Sequence, residues 1–294
     1  MYVQILRGLL RGLLRGLLLG VAAMVTASLT GLTISSAAAT QWADEDSATI
    51  TPGVQMYTDG GQCTANFFFT DDAGTVYVGY AAHCAGTGEA TETDGCTTES
   101  LPPGTPVSFR ENGNLLTNGQ EVGTGTLAYS SWHTMQKVGE SDTNVCAYND
   151  FALVEVDAES VSDVNPTVPF WGGPNGLAST GASSGERIFS FGNSSLRAGI
   201  KLLSPKTGFS LGQSGDDWSH DAYTLTPGIP GDSGSGFMDA DGNAFGVLST
   251  LALAPLPASN GIGNLAFELD YANTHSQLSG LSLSSGTSAF DPIL

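Results

Sequence analysis

"TPGIPGDSGSGF", residues 226–237, sets four glycines and two prolines around Asp232, Ser233 and Ser235. Glycine is costly to order and proline fixes its own φ, so this composition builds neither a helix nor a strand. It builds a turn. Gly231 and Gly234 let the backbone bend sharply on either side of Ser233 and approach a ligand closely. Such a turn can simply reverse the chain. A nucleophilic serine asks for more: a base beside it, an acid that orients the base, and backbone N–H groups around the developing oxyanion. The amides of Gly231 and Ser233 are candidates for those donors.

The base and the acid have few candidates. The chain holds four histidines, His83, His133, His220 and His275. His83, in "YVGYAAHCAG", stands where a strand runs out into two alanines. His133 ("SSWHTM") and His220 ("WSHDAY") lie in polar, loop-like settings, and His275 lies on an expected terminal helix. Those three read as exposed or satisfied side chains. Asp150, in "AYNDFALVEVD", immediately precedes an apolar strand, where a half-buried carboxylate needs a partner. A turn cap is the alternative role for an aspartate there. Asp142 and Asp157 read as solvent-facing. The order His83, Asp150, Ser233 differs from the Ser, acid, His order of an α/β-hydrolase, and no strand-to-helix pattern flanks Ser233.

The chain opens with Arg7, Arg11 and Arg15, then an uncharged apolar run that closes on "AAAT". That is the order of an export signal, with cleavage expected after Ala39. A retained membrane anchor is weakened by the Gly, Ser and Thr content of the run. The formal charge is −20, and three of the nine basic residues lie in the leader, so the rest is more acidic still. Such a surface repels nucleic acid and anionic membranes. The sequence therefore predicts a secreted protein with no nucleic-acid partner and no membrane association once the signal is removed. Four cysteines, Cys63, Cys84, Cys96 and Cys146, favour two disulfides in an exported chain. No cofactor motif and no metal-ligand spacing is present.

After a polar extension over residues 40–52, short β-type runs alternate with turn signals. "ANFFFTDDAGTVYVGYAA" and "GFMDADGNAFGVLSTLALA" read as hairpins. "TPVSFREN", "GTGTLAYSSW", "DFALVEVD", "ERIFSFG", "IKLLSP" and "DAYTLTP" read as further strands. "VDAESVSDVNPTVPFWGGPNG" suits a link between two β halves, and "ELDYANTHSQLSGL" is the one helix of note. The pattern predicts an all-β protein.

"AAHC", "NDFALVEV" and "GDSGSGF", in that order, resemble the chymotrypsin-like (trypsin-like) serine peptidases, in particular the bacterial ones. The resemblance spans roughly residues 53–275. It implies two antiparallel six-stranded β barrels with a short C-terminal helix. The first barrel would cover residues 53–160 and carry His83 and Asp150; the second, residues 161–294, would carry Ser233 and the specificity pocket. His83 would be the general base, Asp150 its orienting acid, Ser233 the nucleophile, and the amides of Gly231 and Ser233 the oxyanion hole. The family's cysteine beside the histidine bonds one a hairpin earlier, which implies Cys63–Cys84 and leaves Cys96 and Cys146 to each other.

The family's buried acid, here Asp232, needs a positive partner, for which Arg187 and Arg197 are the candidates. The chain has no "IVGG"-like start after the leader to supply a freed amine. Ser235 stands where a glycine is commoner. Gly228, Ser249, Thr250 and Leu251 match substrate-binding positions, and "GIGNLAFEL" would form the opposite wall, with Gly261 or Gly263 at the pocket. No acid lies between residues 222 and 231, so a preference for Lys or Arg is not supported. With Leu248 where glutamate-cleaving relatives carry a histidine and Leu251 where a glycine often keeps the pocket open, a small or medium apolar side chain is expected at the cleaved position. The resulting expectation is a monomeric secreted endopeptidase acting on protein or peptide substrates. The alternatives are a barrel that lost turnover and acts as a binding module, and an esterase of another fold.

Overall fold

The computed structural model describes residues 40–88, 93–252 and 258–292; the leader and its cleavage point lie outside them. Seven strands open the chain: β1 (Gln55–Thr58), β2 (Gly61–Thr64), β3 (Phe68–Thr70), β4 (Val76–Tyr80), β5 (Pro106–Glu111), β6 (Gln120–Ser130) and β7 (Ala152–Val156). They pair in the order β3–β4–β7–β6–β5–β1–β2. β2 and β3 are two halves of one bent path. Ala65 N–H donates to Val54 O on one side of the bend, and Asn66 N–H donates to Gly79 O on the other, so the sheet curls into a ring.

The β3–β4 hairpin turns where expected because Asp71 accepts the N–H groups of Ala73 and Thr75, both at 2.9 Å. Phe67, Phe68 and Phe69 are all buried, and Phe69 meets Phe151 edge-on at 5.5 Å. Each such ring contributes about 1.5–3 kcal/mol on burial.

The second half carries a two-residue strand β8 (Gly176–Leu177), then β9 (Arg187–Phe191), β10 (Pro205–Ser214), β11 (Ser219–Leu225), β12 (Gly236–Met238), β13 (Asn243–Ala252) and β14 (Ser259–Asn264). The pairings run β9–β10–β11–β14–β13–β12, and β12 pairs back onto β9. That is a closed six-stranded antiparallel barrel. A last strand, β15 (Ser282–Leu283), returns to pair with β3. The polar extension is tied down: Ile50 N–H donates to Asp163 O, and Ile50 O accepts from Asn165 N–H.

Three helices are present among the described residues, where the sequence pattern showed one. α1 (Ser131–Val138) begins inside the run read as the strand "GTGTLAYSSW". Its Ser130 cap accepts from His133 N–H, and Gly139 ends it at φ 72°. α2 (Thr143–Tyr148) is capped by Asp142, which accepts from Asn144 and Val145. α3 (Leu265–His275), capped by Asn264, is the terminal helix, but it starts three residues before the expected "ELDYANTHSQLSGL" and ends at His275, so residues 276–281 are not helical. "IKLLSP" is no strand; Lys201–Leu203 forms a 3-10 turn with Leu202 exposed, and the strand starts at Pro205. No helix among the described residues is long and apolar enough to cross a membrane.

Candidate functional site

A cleft of about 800 Å3 runs between the two barrels. His83, Asp150, Gly231 and Ser233 line it together with Gly228, Leu248, Ser249, Thr250, Leu251 and Asn260. His83 sits on the 3-10 turn Ala82–Ala85 that follows β4. The disulfide Cys63–Cys84 joins that turn to β2. Cys96–Cys146 joins the loop before β5 to α2, just ahead of Asp150. Both pairings are those expected.

Asp150 holds His83 twice. Its Oδ1 accepts the His83 backbone N–H at 2.8 Å, and its Oδ2 lies 2.6 Å from His83 Nδ1. Burial pushes the His83 imidazole down, but the Asp150 carboxylate outweighs it and the net shift is upward. Burial pushes Asp150 up, but His83 and the Ser249 hydroxyl outweigh it and its net shift is downward. Ser249 Oγ donates to Asp150 Oδ2 at 2.5 Å, so this predicted substrate-binding residue turns its side chain to the acid. Among the described residues no hydrogen bond joins His83 to the Ser233 hydroxyl. Such bonds are often long in a protein without substrate.

Sequence reasoning missed Glu268. It is fully buried on α3, and its Oε1 accepts the Asp150 N–H at 3.1 Å, while Oε2 has no hydrogen-bond partner among the described residues. Burial and the neighbouring Asp150 charge hold its pKa well above the usual carboxylate range. That environment favours its protonated form behind Asp150. Leu265, Glu268, Leu269 and Ala272 are all buried on α3, so the residue lies on the helix's apolar stripe, a signal visible in the sequence.

Ser233 occupies the turn before β12. Gly231 (φ 92°) and Gly234 (φ 88°) take the left-handed backbone that side chains resist. A Cβ on Gly234 would come within 2.7 Å of Thr64 O. Neither Gly231 N–H nor Ser233 N–H donates to a protein acceptor among the described residues, and both residues face the cleft.

Asp232 points away from the cleft and is fully buried. Its Oδ2 accepts from Arg197 Nη2, from Lys206 Nζ at 2.9 Å and from Ile229 N–H at 3.1 Å. Its Oδ1 accepts Ser194 N–H at 3.0 Å. Arg197 is thus one of the two expected candidates, whereas Arg187 instead lies over the Phe189 ring at 4.9 Å. Lys206 was not foreseen, because it is an inward-facing cation on a strand that turns Phe209 outward.

The pocket walls differ from expectation on one side. Neither Gly261 nor Gly263 lines the cleft; Asn260 does. Its Oδ1 accepts Gly228 N–H at 2.8 Å and its Nδ2 donates to Thr250 O at 3.1 Å, bridging the two walls. Gly263 packs under the Glu268 carboxyl instead. His220, read as a polar-loop residue, is fully buried on β11 against Phe245, and among the described residues neither ring nitrogen makes a hydrogen bond of normal geometry. Burial lowers its pKa to about 4.

The fold is that of known serine proteases. Thermobifida fusca protease A superposes with a TM-score of 0.50 at 16% identity, over 81% of this chain and 99% of its own. Nocardiopsis protease gives 0.45 at 18% identity, over 80% and 98%. Cellulomonas bogoriensis chymotrypsin gives 0.44 at 16%, over 80% and 98%. No family model matches the sequence, and no curated protein does. At 16% identity the likeness to the Thermobifida fusca protease establishes the chymotrypsin-like double-barrel fold alone, and function has to be argued from the site.

Proposed function

We propose that this chain is an exported serine endopeptidase that cleaves peptide bonds through Ser233, His83 and Asp150. The observation that carries the reading is the double hold of Asp150 on His83, by backbone N–H and by Nδ1, in the cleft that Ser233 lines. With its proton on Nδ1, the ring presents Nε2 as a free base towards the cleft. Ser233 Oγ attacks the peptide carbonyl as its proton passes to His83 Nε2. The oxyanion forms beside the unpaired amides of Gly231 and Ser233. His83 then gives the proton to the leaving amine, and water repeats the sequence on the acyl-enzyme.

The two disulfides and the acidic surface suit an extracellular protein. The walls Gly228–Pro230 and Leu248–Leu251 with Asn260 carry no charge, which suits an uncharged side chain at the cleaved position. The outer part of β13 offers its edge to the substrate backbone. A fluorophosphonate probe tests the reading: the mature protein should be labelled at Ser233, and Ser233→Ala should not. Equal labelling of the two overturns it by placing the reactive nucleophile elsewhere, and no labelling of either overturns it and leaves a barrel that binds without turnover.

A further inference from the structure

An oxyanion donor works only if its peptide plane faces the right way. In a trans peptide the C=O and N–H point in opposite directions. The Gly231 N–H shares its plane with the Pro230 carbonyl. Turning that plane over changes ψ of Pro230 and φ of Gly231, and glycine accepts either sign of φ at little cost. The chain itself therefore does not choose between an N–H aimed into the cleft and one aimed away.

The choice is made by a neighbouring loop. Ser194, which is not among the residues lining the cleft, donates from Oγ to Pro230 O at 2.5 Å. Ser194 is buried, and its backbone is held in turn, since its N–H donates to Asp232 Oδ1. The next peptide is braced from the first barrel. Gly231 O accepts from Gln62 Nε2 at 2.9 Å and from Thr64 Oγ1 at 2.7 Å. Gln62 closes the circuit, because its Oε1 accepts Ser195 N–H at 3.0 Å. A Cβ on Gly231 would stand 2.3 Å from Gln62 Oε1 and 2.9 Å from Ser194 Oγ, so the turn fits against both side chains.

We propose that Ser194 is a positioning residue for the oxyanion site: by holding the Pro230 carbonyl it keeps the Gly231 N–H aimed at the reacting carbonyl, with Gln62 as the second brace. This rests on the reading of Ser233 as nucleophile. Ser194 does not line the cleft; it acts on the oxyanion site through the orientation of the Pro230–Gly231 peptide, while its Oγ also accepts Leu196 N–H at 3.1 Å.

The test compares wild type with Ser194→Ala, Ser194→Thr and Gln62→Glu. It measures kcat and KM on a peptide the wild type cleaves, and the rate of fluorophosphonate labelling at Ser233. Losing an oxyanion donor costs about 100- to 1,000-fold, so a donor that is misaimed part of the time should cost about 10- to 100-fold. Ser194→Ala should lose that factor in kcat and in labelling rate, with KM within about twofold. Ser194→Thr, which keeps the hydroxyl, should recover most of it. Unchanged kcat in Ser194→Ala, a loss confined to KM, or no recovery in Ser194→Thr overturns the inference. If Ser194→Ala does not fold, Gln62→Glu decides, since it removes the donor to Gly231 O and keeps the acceptor for Ser195. A kcat loss there supports the inference and an unchanged kcat overturns it. A wild type that is not labelled overturns the peptidase reading, and this inference with it.

Discussion

The buried cluster of Asp232, Arg197 and Lys206 sets two cations against one carboxylate, and this excess makes an ordered prediction. Lys206 and Asp232 are fully buried, and Arg197 nearly so. At the 2.9 Å separation of Lys206 Nζ and Asp232 Oδ2, an effective dielectric of ~20 gives an attraction of about 6 kcal/mol. Removing Lys206 from water costs several kcal/mol, and the Arg197 charge opposes it further. Burial accordingly leads the forces that lower the Lys206 pKa, with Asp232 acting against it. The net value of Lys206 is thus near zero. Lys206→Met keeps the stem's volume and leaves a balanced Arg197–Asp232 pair; it should change stability by no more than about 1 kcal/mol. Asp232→Asn strands two buried cations and weakens the anchor of Ser194. It should cost about 3–5 kcal/mol, or roughly 10 °C in melting temperature for a domain of this size. Urea and thermal unfolding, both in a Ser233→Ala background that prevents self-digestion, would measure the two. If Lys206→Met falls as far as Asp232→Asn, the reasoning about the surplus cation is wrong.

Two further outcomes follow from buried titratable groups. His220 has a folded pKa of about 4, below its ordinary value, so the fold prefers it neutral. Stability is then whole above pH ~6.5 and is lost as pH falls from there through about 4, by up to about 3 kcal/mol. His220→Leu should flatten that acid limb in urea midpoints taken between pH 4 and 8, and a parallel curve would refute the assignment. Glu268 has a raised pKa, so the fold prefers its protonated form, and stability is lost as pH climbs above the ordinary carboxylate value. Glu268→Gln keeps an acceptor for Asp150 N–H. It should match wild type near pH 4 and exceed it in urea midpoint at pH 8; a deficit at pH 8 would show that the carboxyl is charged and paired.

Much of this was legible because chemistry constrains spacing. Ser233 between Gly231 and Gly234, Asp150 ahead of an apolar strand and His83 beside a cysteine are local patterns, and the cleft brings all three together. Hairpins were legible where a turn carried its own hydrogen bonds, as Asp71 does. α1 and α2 escaped because each is a short element whose signal is a single cap, Ser130 or Asp142, rather than a repeat. β10 escaped because its pattern is inverted, with Lys206 inside and Phe209 outside. Such an inversion makes sense only once Asp232 is seen to await a cation across the barrel. Asn260 and Glu268 escaped for the same reason, since each owes its place to a backbone amide far away in sequence, at Gly228 and Asp150.

These misses share a cause that bears on how the barrels divide their work. The first barrel is filled with Phe68, Phe69, Phe109, Leu127, Phe151 and Val154. A separate apolar cluster within the second barrel is small, with Ile188, Phe237, Phe245, Leu248 and Ile262 its larger members, while Phe189, Met238, Val247 and Leu265 join the first cluster. Beside it, the second half buries Arg197, Lys206, Asp232, Asn260 and Glu268. Apolar packing is non-directional and sets volume, whereas a buried hydrogen bond sets the orientation of a particular peptide plane. Asp232 fixes Ser194 and Ile229, Ser194 fixes Pro230, Asn260 fixes Gly228, and Glu268 fixes Asp150. Apart from the bond to Ser194, which in turn holds Pro230, these bonds end on backbone within five residues of Ser233 or on Asp150, the acid that holds His83. A polar interior of this kind is poor for stability and well suited to holding amides that face the cleft.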